Sequence, residues 1–281
     1  MKSNKTAKVL KRVLLYTVVI FFSLAFAMPV VWMVSTSLKT DPQVYTVPPI
    51  WIPNPVRWVN YPEALSSRPF ATYALNSLKY GLLAATGAVL SNAIVGYGFA
   101  CIECPGREAL FFVCITAMML PFQVRMIPLY LIFKDLQWLN TYKPLIIPAF
   151  LGGAYHIFLF RQFYLTIPRE LSEAALIDGA NELGILVRII LPLSKPIIAV
   201  VGLQAFMSAW NNYIGPLIYL NTEDLFPIAL GLRSFRSSFQ EAHMWPYLMA
   251  ASTVATAPII FIFFFVQRTF IEGISVTGLK G

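Results

Sequence analysis

The feature that most constrains this chain is a series of uncharged apolar runs, each close to the length needed to cross a lipid bilayer. A transmembrane helix needs about 20 apolar residues, and within lipid only a helix pairs its backbone polar groups inside one segment. Four strong runs and two weaker ones cover residues 13–34, 81–101, 196–220 and 245–266, then 109–124 (continuing past Arg125 toward Phe133) and 144–160. The sequence therefore predicts an all-α polytopic membrane protein with six transmembrane helices.

Composition and charge agree with a lipid environment. Hydrophobic residues make up 58% of the chain and charged residues 12%, whereas a soluble domain carries about 25% charged residues. The formal net charge is +8, but the basic residues lie between the apolar runs and form no dense patch with aromatic residues. This distribution is typical of membrane-protein loops. It indicates that membrane lipid is a binding partner and that nucleic acid is not.

The distribution of Lys and Arg predicts the orientation, because basic loops tend to stay in the cytoplasm. With six spans both termini share one side, and that side carries more basic residues than the other. We therefore expect both termini in the cytoplasm. The first run could be read as a cleavable signal peptide, because Ala25-Phe26-Ala27 resembles a cleavage site. Apolar sequence continues to Val34, which favours an uncleaved first span.

These spans set the predicted organisation of the chain. The segments are a basic N-terminal tail at 1–12, a six-helix transmembrane domain at 13–267 with outer loops at 35–70 and 221–244 and a cytoplasmic loop at 161–195, and a C-terminal tail at 268–281. The outer loop at 35–70 is rich in proline and aromatic residues, so we expect extended structure packed at the membrane surface.

Residues that could support catalysis or bind a metal form no recognisable site. Cys101 and Cys104 form a single CxxC pair, whereas a structural zinc site needs four ligands. The sequence has no HExxH helix and no nucleophile–base pair, so we expect a non-enzymatic subunit without catalytic or metal-binding residues. A secondary transporter driven by an ion gradient stays the alternative, although the spans contain no acidic residue and the sequence shows no internal repeat.

The loop at 161–195 has the pattern of two short helices. Pro168 suits the first turn of a helix, where a missing N–H costs nothing, and Gly179 can take the left-handed conformation that ends one. The helix between them is too short to cross a bilayer. A second helical stretch covers 181–191 and stops at Pro192. The sequence therefore predicts a compact helix–turn–helix on the cytoplasmic face.

This loop also contains a spaced motif. Glu173-Ala174-Ala175 is followed after three residues by Gly179 and, after nine more, by Ile189 and then Leu191-Pro192. The spacing resembles the EAA loop of ABC import permeases, which forms the coupling helix that docks on the cytoplasmic ATPase. The resemblance implies docking by Glu173 and a turn at Gly179. The coupling residues that it implies are Glu173, Ala174, Ala175, Asp178, Gly179 and Pro192.

Two neighbouring alanines add a physical reason for this interpretation. Ala174 and Ala175 are small, so we expect them to let another protein's surface approach the first helix of the loop closely.

Further segments extend the resemblance over most of the chain. They are 119–128, 139–142, 158–164, 210–213 and 267–270. These segments are similar to those of carbohydrate-type ABC permeases, in particular the smaller member of a maltose-transporter-type permease pair. The resemblance implies that the chain forms half of a translocation path for a sugar or oligosaccharide. Sugar phosphates and polyols belong to the implied substrate class as well. The resemblance also implies the cytoplasmic (inner) membrane of a bacterium or archaeon.

The resemblance implies the partners as well. They are a second permease subunit that completes a heterodimer, two cytoplasmic ABC ATPase subunits, and an extracytoplasmic solute-binding protein. The chain has no P-loop of the form GxxxxGK[ST]. We therefore expect no cofactor in this chain, and ATP and Mg on the partner ATPase subunits.

Polar residues within the spans are candidates for the substrate path, because they are costly in lipid and usually face the protein interior or water. Arg125 departs from the family pattern, in which an uncharged residue is common. It could meet an anionic substrate group or snorkel to the headgroups. Asn211 and Asn212 resemble a sugar platform, with helix–helix hydrogen bonding as an equal alternative. The candidate path residues are Gln123, Arg125, Trp210, Asn211, Asn212 and Tyr213.

Two more predictions concern packing and the outer surface. A stripe of small residues recurs every four positions and predicts close contact between two helices: Ala84, Ala88, Asn92, Gly96 and Ala100. In related maltose-type permeases the outer loop before the last span reaches into the docked binding protein. The resemblance therefore implies binding-protein contact at Ser237, Ser238, Phe239 and Gln240.

Overall fold

The computed structural model describes the backbone of residues 3–237 and 244–278, and the side chains of residues 8–235 and 245–264. Every regular element in these ranges is helical, and no β-strand occurs among them. The helices are α1 (Ser3–Ser37), α2 (Asp41–Val44), α3 (Asn60–Ser67), α4 (Phe70–Ala100), α5 (Arg107–Thr116), α6 (Phe122–Asp135), α7 (Lys143–Ile146), α8 (Ala154–Tyr164), α9 (Glu170–Ile177), α10 (Glu182–Ile185), α11 (Leu191–Leu193), α12 (Lys195–Trp210), α13 (Ile214–Tyr219), α14 (Ile228–Gly231), α15 (Ser234–Ser237) and α16 (Met244–Gly278). Short 3₁₀ turns cover Ala117–Met119, Ile147–Leu151 and Glu223–Leu225, and a π-helical segment covers Leu186–Ile190.

Six segments of the described chain have the length and composition of a membrane span when each bent pair of helices is counted as one. Four are single segments: Lys8–Ser37, Phe70–Ala100, Lys143–Tyr164 and Trp245–Phe264. The other two are bent pairs, Arg107–Met119 with Phe122–Asp135 at 97°, and Glu182–Leu193 with Lys195–Trp210 at 82°. The predicted fold class, an all-α polytopic membrane protein, is confirmed.

The third span is broken, whereas the sequence predicts one run from residue 109 toward Phe133. Leu120 and Pro121 have extended backbone, with ψ angles of 109° and 149°. A proline disfavours the helical conformation in the residue before it, so the helix ends at this point and α6 begins again after it. The sequence stays apolar through the break, and hydropathy therefore shows a single span.

The fifth predicted run, 196–220, also contains two helices. α12 ends at Trp210, and α13 begins only at Ile214. Between them, Oδ1 of Asn212 accepts a hydrogen bond from the backbone N–H of Gly215 at 3.0 Å. Asparagine side chains compete with helix formation by bonding to nearby backbone groups, which explains a break inside an otherwise apolar run.

The chain divides into two compact units. The first consists of Met1–Arg68 and Leu232–Ala257, and the second of Pro69–Gly231 and Pro258–Gly281. The first unit contains residues 35–68 of the outer segment. These residues include the short helices α2 and α3, so the prediction of an extended segment is wrong.

Buried polar groups explain why part of this outer segment is helical. Asn60 is 1% exposed, and its Nδ2 donates to the carbonyls of Ser37 at 2.9 Å and Lys39 at 2.8 Å. These bonds hold the start of α3 to the end of α1. The Lys39 ammonium lies 3.6 Å from the ring centre of Trp32, a cation–π contact, and burial lowers the pKa of Lys39.

In the second unit, the stripe of small residues on α4 packs as predicted. All of its members are buried: Ala84, Ala88, Asn92, Gly96 and Ala100. A Cβ atom added to Gly96 would lie 2.6 Å from the Cβ of Phe160, so α8 approaches the backbone of α4 closely. Oδ1 of Asn92 accepts a hydrogen bond from the N–H of Gly153 at 2.6 Å, which satisfies the polar member of the stripe.

The N-terminal end of α4, which the sequence predicts on the outer side, holds the first part of the loop at 221–244. Nδ2 of Asn76 donates to the carbonyl of Asp224 at 2.7 Å, and Oγ of Ser77 accepts from the N–H of Ile228 at 2.7 Å. Side chains of a span therefore fix the backbone of this part of the loop.

Candidate functional site

The first helix of the loop between the fourth and fifth spans forms where the sequence predicts it. α9 begins shortly after Pro168 and covers eight residues, about 12 Å. Its first turn carries Glu170 and Glu173, and negative charges stabilise the positive N-terminal end of a helix. A helix this short does not cross a bilayer, so it is a feature of the loop and not a seventh span.

Gly179 ends α9 with the predicted left-handed turn, at φ +85°. Its N–H donates to the carbonyl of Leu176 at 3.0 Å, and the N–H of Ala180 donates to the carbonyl of Ala175 at 2.9 Å. This pair of bonds is a Schellman motif. It satisfies two carbonyls at the helix end and turns the chain sharply toward α10.

The surface of α9 differs in part from the prediction. Glu173, Ala174, Ile177 and Asp178 are exposed, with Ile177 at 87%. Ala175 is buried in the core of the loop, so only one of the two small alanines is open to a partner. The reason is geometric, because successive residues on a helix point about 100° apart.

The second helical stretch is less regular than predicted. Oδ1 of Asn181 caps it by accepting from the N–H of Gly184 at 2.8 Å, and the π-helical segment Leu186–Ile190 follows α10. The stretch does not stop at Pro192 but continues to Leu193. Pro192 lies in the first turn of α11, where the N–H that proline lacks is not needed.

The loop shares one buried core with three helices of the second unit. Its members come from α4, α8, the loop and α12: Ala93, Tyr97, Ala100, Phe160, Tyr164, Ala175, Ile185, Leu186, Ile190, Ile197 and Val201. Side chains that are in contact within a core transmit displacement to one another. A force applied to α9 would therefore reach α4, α8 and α12.

Each set of predicted path residues lies at a break in a predicted apolar run. Gln123 and Arg125 are exposed in the first turn of α6, directly after the 97° bend. The other four residues, 210–213, lie at the end of α12 and in the turn before α13. Irregular backbone at membrane depth is tolerated where it is buried in protein or lines a water-filled path. These positions are compatible with a path, and the assignment stays a prediction.

The side chains at 210–213 have different surroundings. Trp210 is 5% exposed, and Tyr213 is half-buried. Asn211 is exposed, and its Nδ2 donates to a carbonyl of its own helix at 2.9 Å. Nδ2 of Asn212 donates to Oη of Tyr80 at 2.9 Å, which joins α4 to the turn. Asn212 therefore makes the helix–helix hydrogen bond that is the alternative to a sugar platform.

Three tyrosines that join different helices or loops were not predicted from the sequence as functional residues. Tyr80 accepts the bond from Asn212 and stacks on Tyr142, whose pKa is raised to about 12 by burial. Tyr97 donates to Glu182 at 2.6 Å. A tyrosine hydroxyl in an apolar span usually has a hydrogen-bond partner, which was the available signal. Nothing in the sequence identifies a partner 85 residues away.

The predicted binding-protein contact lies at the edge of the described chain. Ser237 is the last residue of α15. Ser238, Phe239 and Gln240 lie outside the described residues. This contact therefore stays a prediction.

Residues 94–276 match the family model described as the binding-protein-dependent transport system inner membrane component. The chain belongs to this family. The match includes α9, the Gly179 turn and the second helical stretch, so the loop is part of the domain that defines the family. The family also makes this permease an inner-membrane component that works with a binding protein.

Two relatives of similar sequence are transport-system permeases, and one solved structure has the same fold. The permease is 35% identical to the arabinooligosaccharides transport system permease protein AraQ of Halalkalibacterium halodurans, over 75% of this chain and 74% of the relative. It is 31% identical to the sn-glycerol-3-phosphate transport system permease protein UgpE of Yersinia enterocolitica, over 83% and 85%. A bacterial ABC transporter involved in the import of the acidic polysaccharide alginate has the same fold over 95% of this chain and 98% of that chain, with a TM-score of 0.81 and 23% identity.

Proposed function

We propose that this permease forms half of the translocation path of an ATP-driven importer for a sugar or oligosaccharide. The observation that carries the proposal is the exposed helix α9, closed by the Gly179 turn and packed on a core shared with three helices. Relatives named for arabinooligosaccharides and for sn-glycerol-3-phosphate support a carbohydrate or polyol class. A sugar phosphate is included, because Arg125 could bind an anionic group.

The proposed complex contains this permease, a second permease, two cytoplasmic ABC ATPase subunits that bind ATP and Mg, and an extracytoplasmic solute-binding protein. The family description supports the binding protein. Both termini and the loop at 161–195 would face the cytoplasm, as the distribution of Lys and Arg indicates. The C-terminal tail at 268–281 is a second candidate for contact with the ATPases.

In this mechanism, the ATPase pair binds the exposed face of α9, and ATP binding closes the pair. Glu173, Ala174 and Ile177 supply the docking surface, and the Gly179 turn fixes its angle. The shared core carries the movement into α4, α8 and α12. The path then changes from inward-facing to outward-facing, a two-state change that nucleotide biases.

The outer loop at 221–244 is proposed to enter the docked binding protein and assist release of the substrate. Ser237, Ser238, Phe239 and Gln240 are the proposed contact residues. A complex with this loop shortened should release substrate from the binding protein more slowly than the wild type in a stopped-flow assay. An unchanged release rate would contradict this contact.

Uptake into proteoliposomes tests the energy source. The assembled complex, with its binding protein outside, is offered arabinooligosaccharides or sn-glycerol-3-phosphate, with ATP or a non-hydrolysable analogue inside. Uptake should require hydrolysable ATP and should continue after ionophores collapse the ion gradients. Uptake that ionophores abolish and that proceeds without ATP would support the secondary transporter instead.

A further inference from the structure

One hydrogen bond joins a transmembrane helix directly to the second arm of the loop. Oη of Tyr97 donates to Oε2 of Glu182 at 2.6 Å, across 85 residues of chain. Tyr97 lies in the last turn of α4 and is 3% exposed. Glu182 is the first residue of α10, directly after the turn that closes α9. The bond therefore links the longest helix of the second unit to the point where the loop reverses direction.

Arg161, on α8, bonds to Glu108 at 2.7 Å and to the carbonyl of Phe99 at 3.1 Å. In the part of the loop that follows α8, two polar side-chain links hold it to other parts of the described chain, and the Tyr97–Glu182 bond is the first of them. The second is the ion pair of Arg169 with Glu103, at 3.2 Å, with side chains 64% and 78% exposed. Exposed ion pairs contribute little because water and salt screen them. The Tyr97 hydroxyl also donates to a charged acceptor, but Tyr97 is 3% exposed, so water screens this bond less than it screens the ion pair. Tyr97 and Glu182 therefore form the main polar connection between a span and the part of the loop that follows α8.

The surroundings of the bond leave room for movement. A cavity of about 410 Å³ lies beneath the loop, and Tyr97, Glu173 and Glu182 are among the residues that line it. The π-helical segment Leu186–Ile190 follows within four residues of Glu182. Such segments occur frequently at functional sites. The loop thus combines a tight polar connection with an adjacent cavity and an irregular helix.

We propose that Tyr97 and Glu182 are positioning residues for coupling, through which displacement of the docked loop moves the cytoplasmic end of α4. This inference rests on the proposed function and adds residues outside the predicted coupling set. In the intact complex the bond makes α4 follow the loop. Without it, the ATPases still bind and hydrolyse ATP, but a smaller share of the cycles opens the path.

Tyr164 provides a matched control. It lines the same cavity, is 2% exposed, and its ring lies 6.3 Å from that of Tyr97. Its hydroxyl has no hydrogen-bond partner among the described residues. Tyr97→Phe and Tyr164→Phe remove the same atom from the same cluster, but only the first breaks a bond. Any difference between them reports the bond and not the loss of a buried hydroxyl.

The test measures the ATP hydrolysed per substrate molecule imported by the reconstituted full complex. Tyr97→Phe should raise this ratio about threefold, in the range by which coupling residues act, with assembly of the complex unchanged. Glu182→Ala should do the same, Glu182→Gln should stay near wild type because the amide oxygen still accepts, and Tyr164→Phe should match wild type. Glu182→Ala is the decisive variant if Tyr97→Phe fails to assemble, because Glu182 is exposed.

An unchanged ratio in both Tyr97→Phe and Glu182→Ala would overturn the inference. A proportional fall of ATP hydrolysis and import is one form of this result, and a merely structural role would give it. This result leaves the proposed function intact as long as the wild-type complex imports substrate with ATP. A wild-type complex that imports nothing with ATP would instead contradict the proposed function itself.

Discussion

Gly179 fixes the angle between α9 and the second helical stretch. Its φ of +85° lies in the left-handed region, and a Cβ atom placed there would meet nothing within 4 Å. The requirement for glycine is therefore a property of the backbone and not of packing. For residues other than glycine this conformation costs about 1–2 kcal/mol, and the cost for asparagine is lower than for most.

Replacing Gly179 with a β-branched residue should disturb the turn and lower coupling. We expect Gly179→Val to reduce ATP-dependent uptake about tenfold, which corresponds to about 1.4 kcal/mol, while membrane insertion stays normal. Gly179→Asn is the control and should retain most of the uptake. Quantitative immunoblotting of membranes and uptake in proteoliposomes measure the two quantities. Normal uptake by Gly179→Val would contradict the importance of the turn.

Substitutions of the two amides at the end of α12 can distinguish a structural role from a role in the substrate path. Asn212 bonds to Tyr80 and to the N–H of Gly215, whereas Asn211 bonds only within its own helix. Asn212→Ala should lower thermal stability in detergent by about 1–3 kcal/mol, because it leaves a buried partner unpaired. Asn211→Ala should leave stability unchanged. A stable Asn212→Ala variant with impaired uptake would instead support the sugar platform.

At the residue scale, the sequence reveals what depends on local backbone chemistry. Gly179 as the end of α9 could be predicted because only glycine takes the left-handed conformation freely. The inward direction of Ala175 could not, because it depends on where the core lies. The partnership of Tyr97 with Glu182 could not be predicted either, since the two residues come together only when α4 and the loop pack.

At the scale of the elements, hydropathy and length predicted six spans, because lipid imposes a fixed thickness on each of them, and the described chain has four to six candidate spans. The bounds of the fifth differ, since the predicted run covers 196–220 and the bent pair covers 182–210. The same rule could not find the breaks after Met119 and Trp210, where the chain stays apolar. Pro121 was the available signal for the first break and Asn211-Asn212 for the second. The small-residue stripe on α4 was predictable, because a repeat of four places small side chains on one face.

Two glycines of α4 test the close approach of α8. A methyl group on Gly96 would lie 2.6 Å from Cβ of Phe160, whereas one on Gly98 would meet nothing within 4 Å. Gly96→Ala should therefore destabilise the permease by about 1–3 kcal/mol through overpacking. Gly98→Ala should be neutral or stabilising, because alanine favours helix more than glycine does. Thermal unfolding in detergent measures both, and equal melting temperatures would contradict the packing.

At the scale of the whole molecule, this permease exposes a short helix on a loop whose core is continuous with three helices of the transmembrane domain. That arrangement suits a part that receives a force from another protein. The family match places the chain in a binding-protein-dependent transport system. An ATPase docked on α9 is the simplest source of the force, and it is the central claim of the proposed mechanism.

The most direct test is affinity purification of the tagged permease from its native membrane in mild detergents, with quantitative mass spectrometry of co-purifying proteins. The wild type should recover an ATPase and a second permease. Ile177→Asp, on the exposed face of α9, should lower ATPase recovery about tenfold, as expected for a central docking residue. Ile52→Asp, at a similarly exposed position in the outer segment, should not. Recovery of the permease alone in every detergent, or equal ATPase recovery with Ile177→Asp, would contradict docking on this loop.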